Sequence, residues 1–148
     1  MAAVEQDRIA AQRLARGVCR ALGGLGYATL TEFPLNSGRR VDVIAMNGVG
    51  ETVIVEIKTS AADYRADGKW SEYLEFCDVF FFAVPTAFPL ALLPADCGLM
   101  IADDYGAEIL RRSAVQPMNS SRRRAQTLRL ALAAMRRLSR LTDPECGL

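Results

Sequence analysis

The segment VFFFAV, residues 79–84, most constrains the fold because it is apolar at every position. A strand with one face in water alternates apolar and polar side chains, whereas a strand covered on both faces does not. The segment therefore predicts a central strand with helices packed on both sides of its sheet. A second apolar strand, ETVIVEIKTS at 51–60, also carries Glu56 and Lys58. Burying a charge is costly unless it pairs, binds a metal or faces a cleft, so these two residues mark a candidate site.

Hydrophobic periodicity and turn residues give the expected order of elements. A first helix precedes a meander of three strands, a second helix leads to the central strand, and a strand pair and an arginine-rich helix follow. The predicted helices cover 5–23, 64–77 and 122–140, the last capped by Ser120 or Ser121, and the strands cover 27–33, 39–46, 51–58, 79–84, 98–103 and 106–112. This order predicts an α/β fold of three layers, with one mixed sheet flanked by helices.

The length predicts one domain, 1–148, with a core at about 5–84 and a C-terminal strand pair and helix at about 98–140. The chain contains no histidine, and its four cysteines are far apart, which argues against a Cys/His zinc site and against hydrolases with a histidine base. A bound metal would have oxygen ligands, which favours Mg²⁺, Mn²⁺ or Ca²⁺. The apolar runs are too short to cross a bilayer and no signal core opens the chain, so we expect a soluble, cytoplasmic protein.

Three charged residues are expected to meet near the end of the third strand. Asp42 lies in the second strand, and a short Asn-Gly hairpin joins it to the strand that carries Glu56 and Lys58. Two adjacent carboxylates suit a divalent cation such as Mg²⁺, which also accepts phosphate oxygens. A lysine beside it can orient a water molecule or stabilise developing negative charge, and the Ile57 carbonyl can supply a further ligand.

These residues carry a resemblance to known proteins. VD at 41–42, a hairpin and EIK at 56–58 resemble the core motif of the PD-(D/E)XK nuclease superfamily, with valine where the motif has proline. That superfamily has a restriction-endonuclease-like fold with the order helix, three strands, helix, strand. The segment EIKTSAADYRADGKWSEYLEFCDVFFFAVP, residues 56–85, is similar to the MmcB-like bacterial DNA-repair proteins of the same superfamily.

The resemblance implies a DNA-repair protein that hydrolyses DNA phosphodiester bonds with Mg²⁺ or Mn²⁺. It assigns Asp42, Glu56 and Lys58 as catalytic residues, with the two carboxylates as metal ligands and Glu5 of the first helix as a further ligand. The implied partner is DNA, branched or damaged forms included. A homodimer and a DNA-repair protein partner are both compatible with the resemblance.

A set of basic and aromatic residues is expected to contact DNA. Its members are Arg39, Arg40, Lys69, Tyr73, Arg122, Arg123 and Arg124. Lys69 and Tyr73 are four apart, so they are predicted to share one face of the second helix. Residues 111–140 hold nine arginines and no acid, which suits contact with phosphates. The alternative is an amphipathic helix with a solvated basic face, whose apolar stripe packs on the sheet; the stripe consists of Leu128, Leu132, Met135 and Leu138.

Two other functions remain open from the sequence. The first is a catalytically silent nuclease fold that binds DNA or a repair partner, which predicts DNA affinity without metal-dependent cleavage. The second is a protein-interaction module that uses the acidic middle of the chain, which predicts no salt-dependent DNA binding.

Overall fold

A six-stranded mixed sheet forms the centre of the protein, and its strands lie in the same order as in the sequence. The computed structural model describes residues 1–147, so residue 148 of the predicted domain lies outside the described residues. The strands are β1 (Ala28–Pro34), β2 (Arg40–Met46), β3 (Thr52–Ile57), β4 (Val79–Val84), β5 (Gly98–Ala102) and β6 (Ala107–Arg111). The α-helices are α1 (Ala2–Gly24), α2 (Ala61–Ala66) and α3 (Ser120–Thr142), and 3₁₀ helices cover Trp70–Phe76 and Leu90–Leu92.

The predicted three-layer α/β fold is confirmed. β1, β2 and β3 form an antiparallel meander, β3, β4 and β5 run parallel, and β6 returns antiparallel to β5. The helix α1 packs against one face of the sheet through Leu14, Val18 and Leu22. The Trp70–Phe76 helix and α3 cover the other face. β3 therefore has an antiparallel neighbour on one side and a parallel neighbour on the other.

β4 is buried at all six positions, as its apolar sequence predicts. Phe81 belongs to the apolar cluster under α1, and Phe80 and Phe82 belong to the cluster on the opposite face. Trp70 stacks on Phe80 with ring centroids 5.7 Å apart and meets the edge of Phe82 at 5.3 Å. Trp70 thus anchors the 3₁₀ helix to the central strand.

The prediction of one continuous second helix over 64–77 is wrong, because α2 and a separate 3₁₀ helix cover this region. α2 begins earlier, because the Ser60 hydroxyl accepts a hydrogen bond from the Asp63 N–H at 3.1 Å immediately after β3. It ends at Asp67, whose backbone is extended, and Gly68 follows before the 3₁₀ helix. Lys69 and Tyr73 therefore do not share an α-helical face.

The helix α3 presents a different side to the sheet from the one predicted. Its cap is Asn119, whose side chain accepts hydrogen bonds from the N–H groups of Ser121 and Arg122, so the predicted cap at Ser120 or Ser121 is wrong. Its buried residues are Gln126 and Leu130. The apolar stripe that was expected to pack on the sheet is exposed: Leu128 62%, Leu132 39%, Met135 65% and Leu138 61%. No helix within residues 1–147 is long and apolar enough to span a membrane.

Polar side chains explain this orientation of α3. Gln126 donates to the Phe76 carbonyl at 2.7 Å. Arg129 donates to the Pro34 carbonyl at 2.9 Å, and Arg137 donates to the Glu32 carbonyl at 3.0 Å. Because β1 is an edge strand, its outer carbonyls lack strand partners, and the arginines of α3 supply the missing donors.

Asp78 fixes the N-terminal end of α3 to the start of β4. Its side chain is 4% exposed and accepts the N–H groups of Thr52 and Met118, each at 2.8 Å. Arg123 binds both oxygens of this carboxylate, with Nη1 to Oδ2 at 2.8 Å. Burial opposes ionisation, but the hydrogen bonds from Arg123, Met118 and Thr52 lower the pKa of Asp78 to about 2.

Candidate active site

The candidate site lies where β2 and β3 stop pairing through their backbones. The last pair of that ladder is Val43 with Val55. Beyond it, the Asp42 carboxylate takes the place of a main-chain acceptor, since its Oδ2 accepts the Ile57 N–H at 2.8 Å. β3 continues to pair with β4 as far as Ile57. The short hairpin thus brings Asp42 beside the end of β3, as the sequence predicted.

Glu56 is the most deeply buried acid of the site, with 4% exposure. Its carboxyl group lies beside Asp42 and Tyr73. Burial, followed by the neighbouring Asp42, raises the pKa of Glu56 to about 10. Its Oε2 is the only buried side-chain nitrogen or oxygen without a hydrogen-bond partner in the described part of the chain. Buried polar atoms in proteins usually have a hydrogen-bond partner, so this oxygen is free to bind a group from outside the chain.

Lys58 is also buried, at 6% exposure, and points to the same face as Glu56. Its Nζ donates to Asp67 Oδ2 at 2.8 Å. Burial lowers the pKa of Lys58, but Asp67 and Glu56 outweigh that effect and raise it above its ordinary value, so the ammonium stays charged. Sequence reasoning did not connect Asp67 with Lys58. The readable signal was its spacing from Asp63, since both acids lie one helical turn apart after the strand that carries Lys58.

Tyr73 and Arg39 complete this side of the site. Tyr73 is 6% exposed, and burial next to Glu56 raises the pKa of its hydroxyl. Arg39 is held by the Glu72 carboxylate and lies near the Tyr73 hydroxyl. Arg40 is more exposed and pairs with Glu32 at 2.9 Å. Two of the five arginines predicted to contact DNA, Arg39 and Arg40, therefore border the site.

Glu5 and Lys69 do not reach the Asp42–Glu56 site. Glu5 is exposed and forms an ion pair with Arg8. Asp7, which lies half a helical turn away, lines the cavity at the site instead. Lys69 is exposed and is not part of the lining.

The arginines at the start of α3 lie near the opposite end of the sheet. Arg123 is bound to Asp78 at the first residues of β3 and β4, and strand geometry puts that end on the order of 20 Å from Lys58. Arg122 pairs with Glu75 at 2.7 Å. Arg124 is exposed. Contact between this cluster and DNA bound at Asp42 requires a ligand that spans the sheet.

Two adjoining cavities meet at Asp42. The first, of about 360 Å³, contains the predicted catalytic residues. Its lining consists of Asp7, Arg8, Ala11, Arg39, Asp42, Glu56, Ile57, Lys58, Thr59, Asp63, Asp67 and Tyr73. The second, of about 510 Å³, lies between α1 and the first two strands. Its lining consists of Arg8, Ala11, Gln12, Ala15, Arg16, Thr31, Glu32, Arg40, Asp42 and Ile57.

The contribution of α1 was missed at the sequence level. Arg8, Gln12 and Arg16 recur every four residues, which places them along one flank of the helix. That polar repeat was readable, but Glu5 was the residue of this helix that the sequence analysis assigned to the site. The structure shows that this flank faces the Asp42 carboxylate.

Comparisons with known proteins identify the family of the chain. The family model described as DNA repair protein MmcB-like matches residues 3–145. The SPO1766 protein from Silicibacter pomeroyi, a solved structure described as of unknown function, is 47% identical and superposes with a TM-score of 0.88. The match covers 93% of this chain and 94% of that one. A search of functionally curated proteins gives no match. With nearly its whole length inside the family model, the chain belongs to the MmcB-like family of DNA repair proteins.

Proposed function

We propose that this DNA-repair protein is a nuclease that hydrolyses DNA phosphodiester bonds with the help of Mg²⁺ or Mn²⁺ bound at Asp42 and Glu56. The observation that carries the proposal is the buried Glu56 Oε2, which has no partner and lies beside a second carboxyl group. A buried carboxyl group beside a half-buried one favours either a proton or a cation between them. The proposal is supported by the resemblance of the sequence to the PD-(D/E)XK motif, since Asp42 on β2 lies next to the end of β3, where Glu56 and Lys58 lie.

The donor set fits a hard cation with few protein ligands. No three Asp, Glu, Cys or His side chains among residues 1–147 are arranged as a metal-binding group. Asp42 and Glu56 would therefore be the acidic ligands, and water, phosphate and a main-chain oxygen such as that of Ile57 would supply the rest. Mg²⁺ commonly binds in this way, through one or two carboxylates and substrate phosphates. When bound, such a cation lowers the pKa of coordinated water and offsets charge on the phosphate.

Lys58 supplies the positive charge next to these carboxylates. Asp67 occupies one of its three N–H donors and holds the ammonium in place, which leaves two donors for a water molecule or a phosphate oxygen. As water attacks phosphorus, the bond to the leaving oxygen breaks and negative charge grows on the phosphate oxygens. A fixed ammonium at this position stabilises that charge without having to reorganise.

Cleavage of a DNA panel tests the proposal. Single-stranded, duplex, flap, splayed and four-way substrates would be incubated with Mg²⁺ or Mn²⁺ and with wild type, Asp42→Asn or Lys58→Met. We expect each substitution to lower the rate about 100-fold or more. Ca²⁺-supported DNA binding should persist in Lys58→Met, which keeps both carboxylates, and should weaken in Asp42→Asn, which removes one of them. Asp96→Asn, an exposed acid outside both site cavities, is the matched control. Equal rates for wild type and both site variants would refute the assignment.

A catalytically silent DNA-binding protein is the second candidate. It is favoured by the small number of acidic ligands, since Glu5 does not join Asp42 and Glu56. It predicts that wild type binds one or more members of the same panel but cleaves none of them with either metal.

A further inference from the structure

The cleft between α1 and strands β1 and β2 has arginines on both sides. Arg8, Gln12 and Arg16 project from successive turns of α1, and Arg40 lies on the strand side. Arg8 forms an ion pair with the exposed carboxylate of Glu5, and Arg40 forms one with the exposed carboxylate of Glu32. Such pairs contribute little in water, so a phosphate can replace the carboxylate at small cost.

Charge divides the two cavities that meet at Asp42. The cavity around Glu56 is lined by five acids and three bases: Asp7, Asp42, Glu56, Asp63 and Asp67 against Arg8, Arg39 and Lys58. The α1 cleft is lined by three arginines against Glu32 and Asp42. A polyanion is therefore attracted to the α1 cleft, whereas a cation is attracted to the cavity beyond Asp42.

Size and composition restrict what the cleft can hold. A volume of about 510 Å³ is that of a small-molecule pocket. A cleft of this size can enclose a short stretch of one nucleic-acid strand but is too small to enclose a duplex. The lining residues include no aromatic side chain on which a base would stack. Recognition would then depend on phosphates and not on base identity.

We propose that this cleft is a track for a single strand of DNA, in which Arg8, Gln12, Arg16 and Arg40 bind consecutive phosphates and lead the strand to Asp42. The inference rests on the proposed function and adds the form of the substrate: a single strand, or the single-stranded branch of a larger DNA. A duplex would have to separate its strands before one of them entered the cleft.

Binding without cleavage tests the track. Fluorescence anisotropy in EDTA would compare a labelled oligonucleotide as a single strand and annealed to its complement. Wild type is expected to bind the single strand more tightly. In the double variant Arg8→Gln/Arg16→Gln, single-strand affinity should fall about tenfold or more, and the salt dependence should lose about 1.4 from its slope. The control Arg13→Gln/Arg20→Gln removes the same charge from the same helix outside the cleft and should change neither quantity.

Thermal unfolding of both double variants checks that the fold is intact. Arg16→Glu provides a second test: because Arg16 is exposed, the substitution should leave the fold intact while it reverses the charge in the cleft and lowers single-strand affinity. Equal loss in the cleft and control variants, or tighter duplex binding by wild type, would overturn the inference. Because EDTA removes any metal, this binding measurement does not depend on whether the protein is a metal-dependent nuclease. If the cleft variant loses single-strand affinity but wild type cleaves no DNA of the panel, the track is supported and the nuclease proposal is rejected. If wild type cleaves DNA but the cleft variant binds as tightly as wild type, the nuclease proposal is supported and the track is rejected.

Discussion

Replacing Glu56 with glutamine should stabilise the metal-free protein at neutral and alkaline pH. The folded chain buries this carboxyl group at 4% exposure and raises its pKa from 4.5 to about 10. The unfolded chain releases the proton near pH 4.5, so the folded state binds more protons between these two values. The Glu56 contribution to the free energy of unfolding is therefore fully present below pH 4.5 and is lost as the pH rises.

The size of this effect follows from the titration. Each pH unit between 4.5 and the folded pKa costs about 1.4 kcal/mol, so the loss reaches about 3 kcal/mol at pH 7. This value requires only that the folded pKa of Glu56 exceeds 7. Glutamine has the same shape but does not ionise, so Glu56→Gln avoids the loss. The advantage of the variant should grow by about 4 kcal/mol between pH 5 and pH 8.

Urea denaturation in EDTA at several pH values measures the advantage directly. All other groups titrate in both proteins, so the difference between variant and wild type isolates Glu56. Glu108→Gln, on an exposed position of β6, is the control for the loss of a carboxylate. A pH-independent difference for Glu56→Gln would show that Glu56 is ionised in the folded protein and would refute the reasoning.

Two further substitutions test the packing of the helices on the sheet. Arg123→Ala leaves the buried Asp78 carboxylate without its cation and should cost about 3 to 5 kcal/mol in urea denaturation; an unchanged midpoint would show that the pair contributes nothing. Gly17→Ala places a Cβ 1.9 Å from the Asp103 carbonyl, so α1 must move and stability should fall by about 1 to 3 kcal/mol. Gly23→Ala meets no atom within 4 Å and is the control; equal melting temperatures for the two alanine variants would contradict the close contact.

Local sequence patterns were sufficient to predict the sheet and the meeting of Asp42 with Glu56. The apolar run of β4 identified the central strand, because few other structures can bury six consecutive apolar residues. The short hairpin between β2 and β3 fixed their register, and register decides which side chains are neighbours. Both predictions used residues that are close in sequence or that repeat with a fixed period.

The wrong predictions concern contacts between distant residues. Asp78 and Arg123 are separated by 45 positions in the sequence, and no local signal indicates that their side chains pair. Without that pair, the leucines of α3 were the obvious candidates for its buried side, although polar contacts from Gln126 and the arginines decide the orientation. Likewise, the break of α2 at Asp67 reflects a tertiary ion pair with Lys58, which helix periodicity cannot reveal.

The contacts between α3 and β1 have a consequence for the behaviour of the protein at high concentration. An uncovered edge strand is a template on which another molecule can add a strand, and such growth leads to aggregation. Arg129 and Arg137 occupy the carbonyls of Pro34, Thr31 and Glu32, so an incoming strand finds these acceptors already used. Part of the arginine content that suggests nucleic-acid binding thus protects this edge of the sheet from pairing with its own copies.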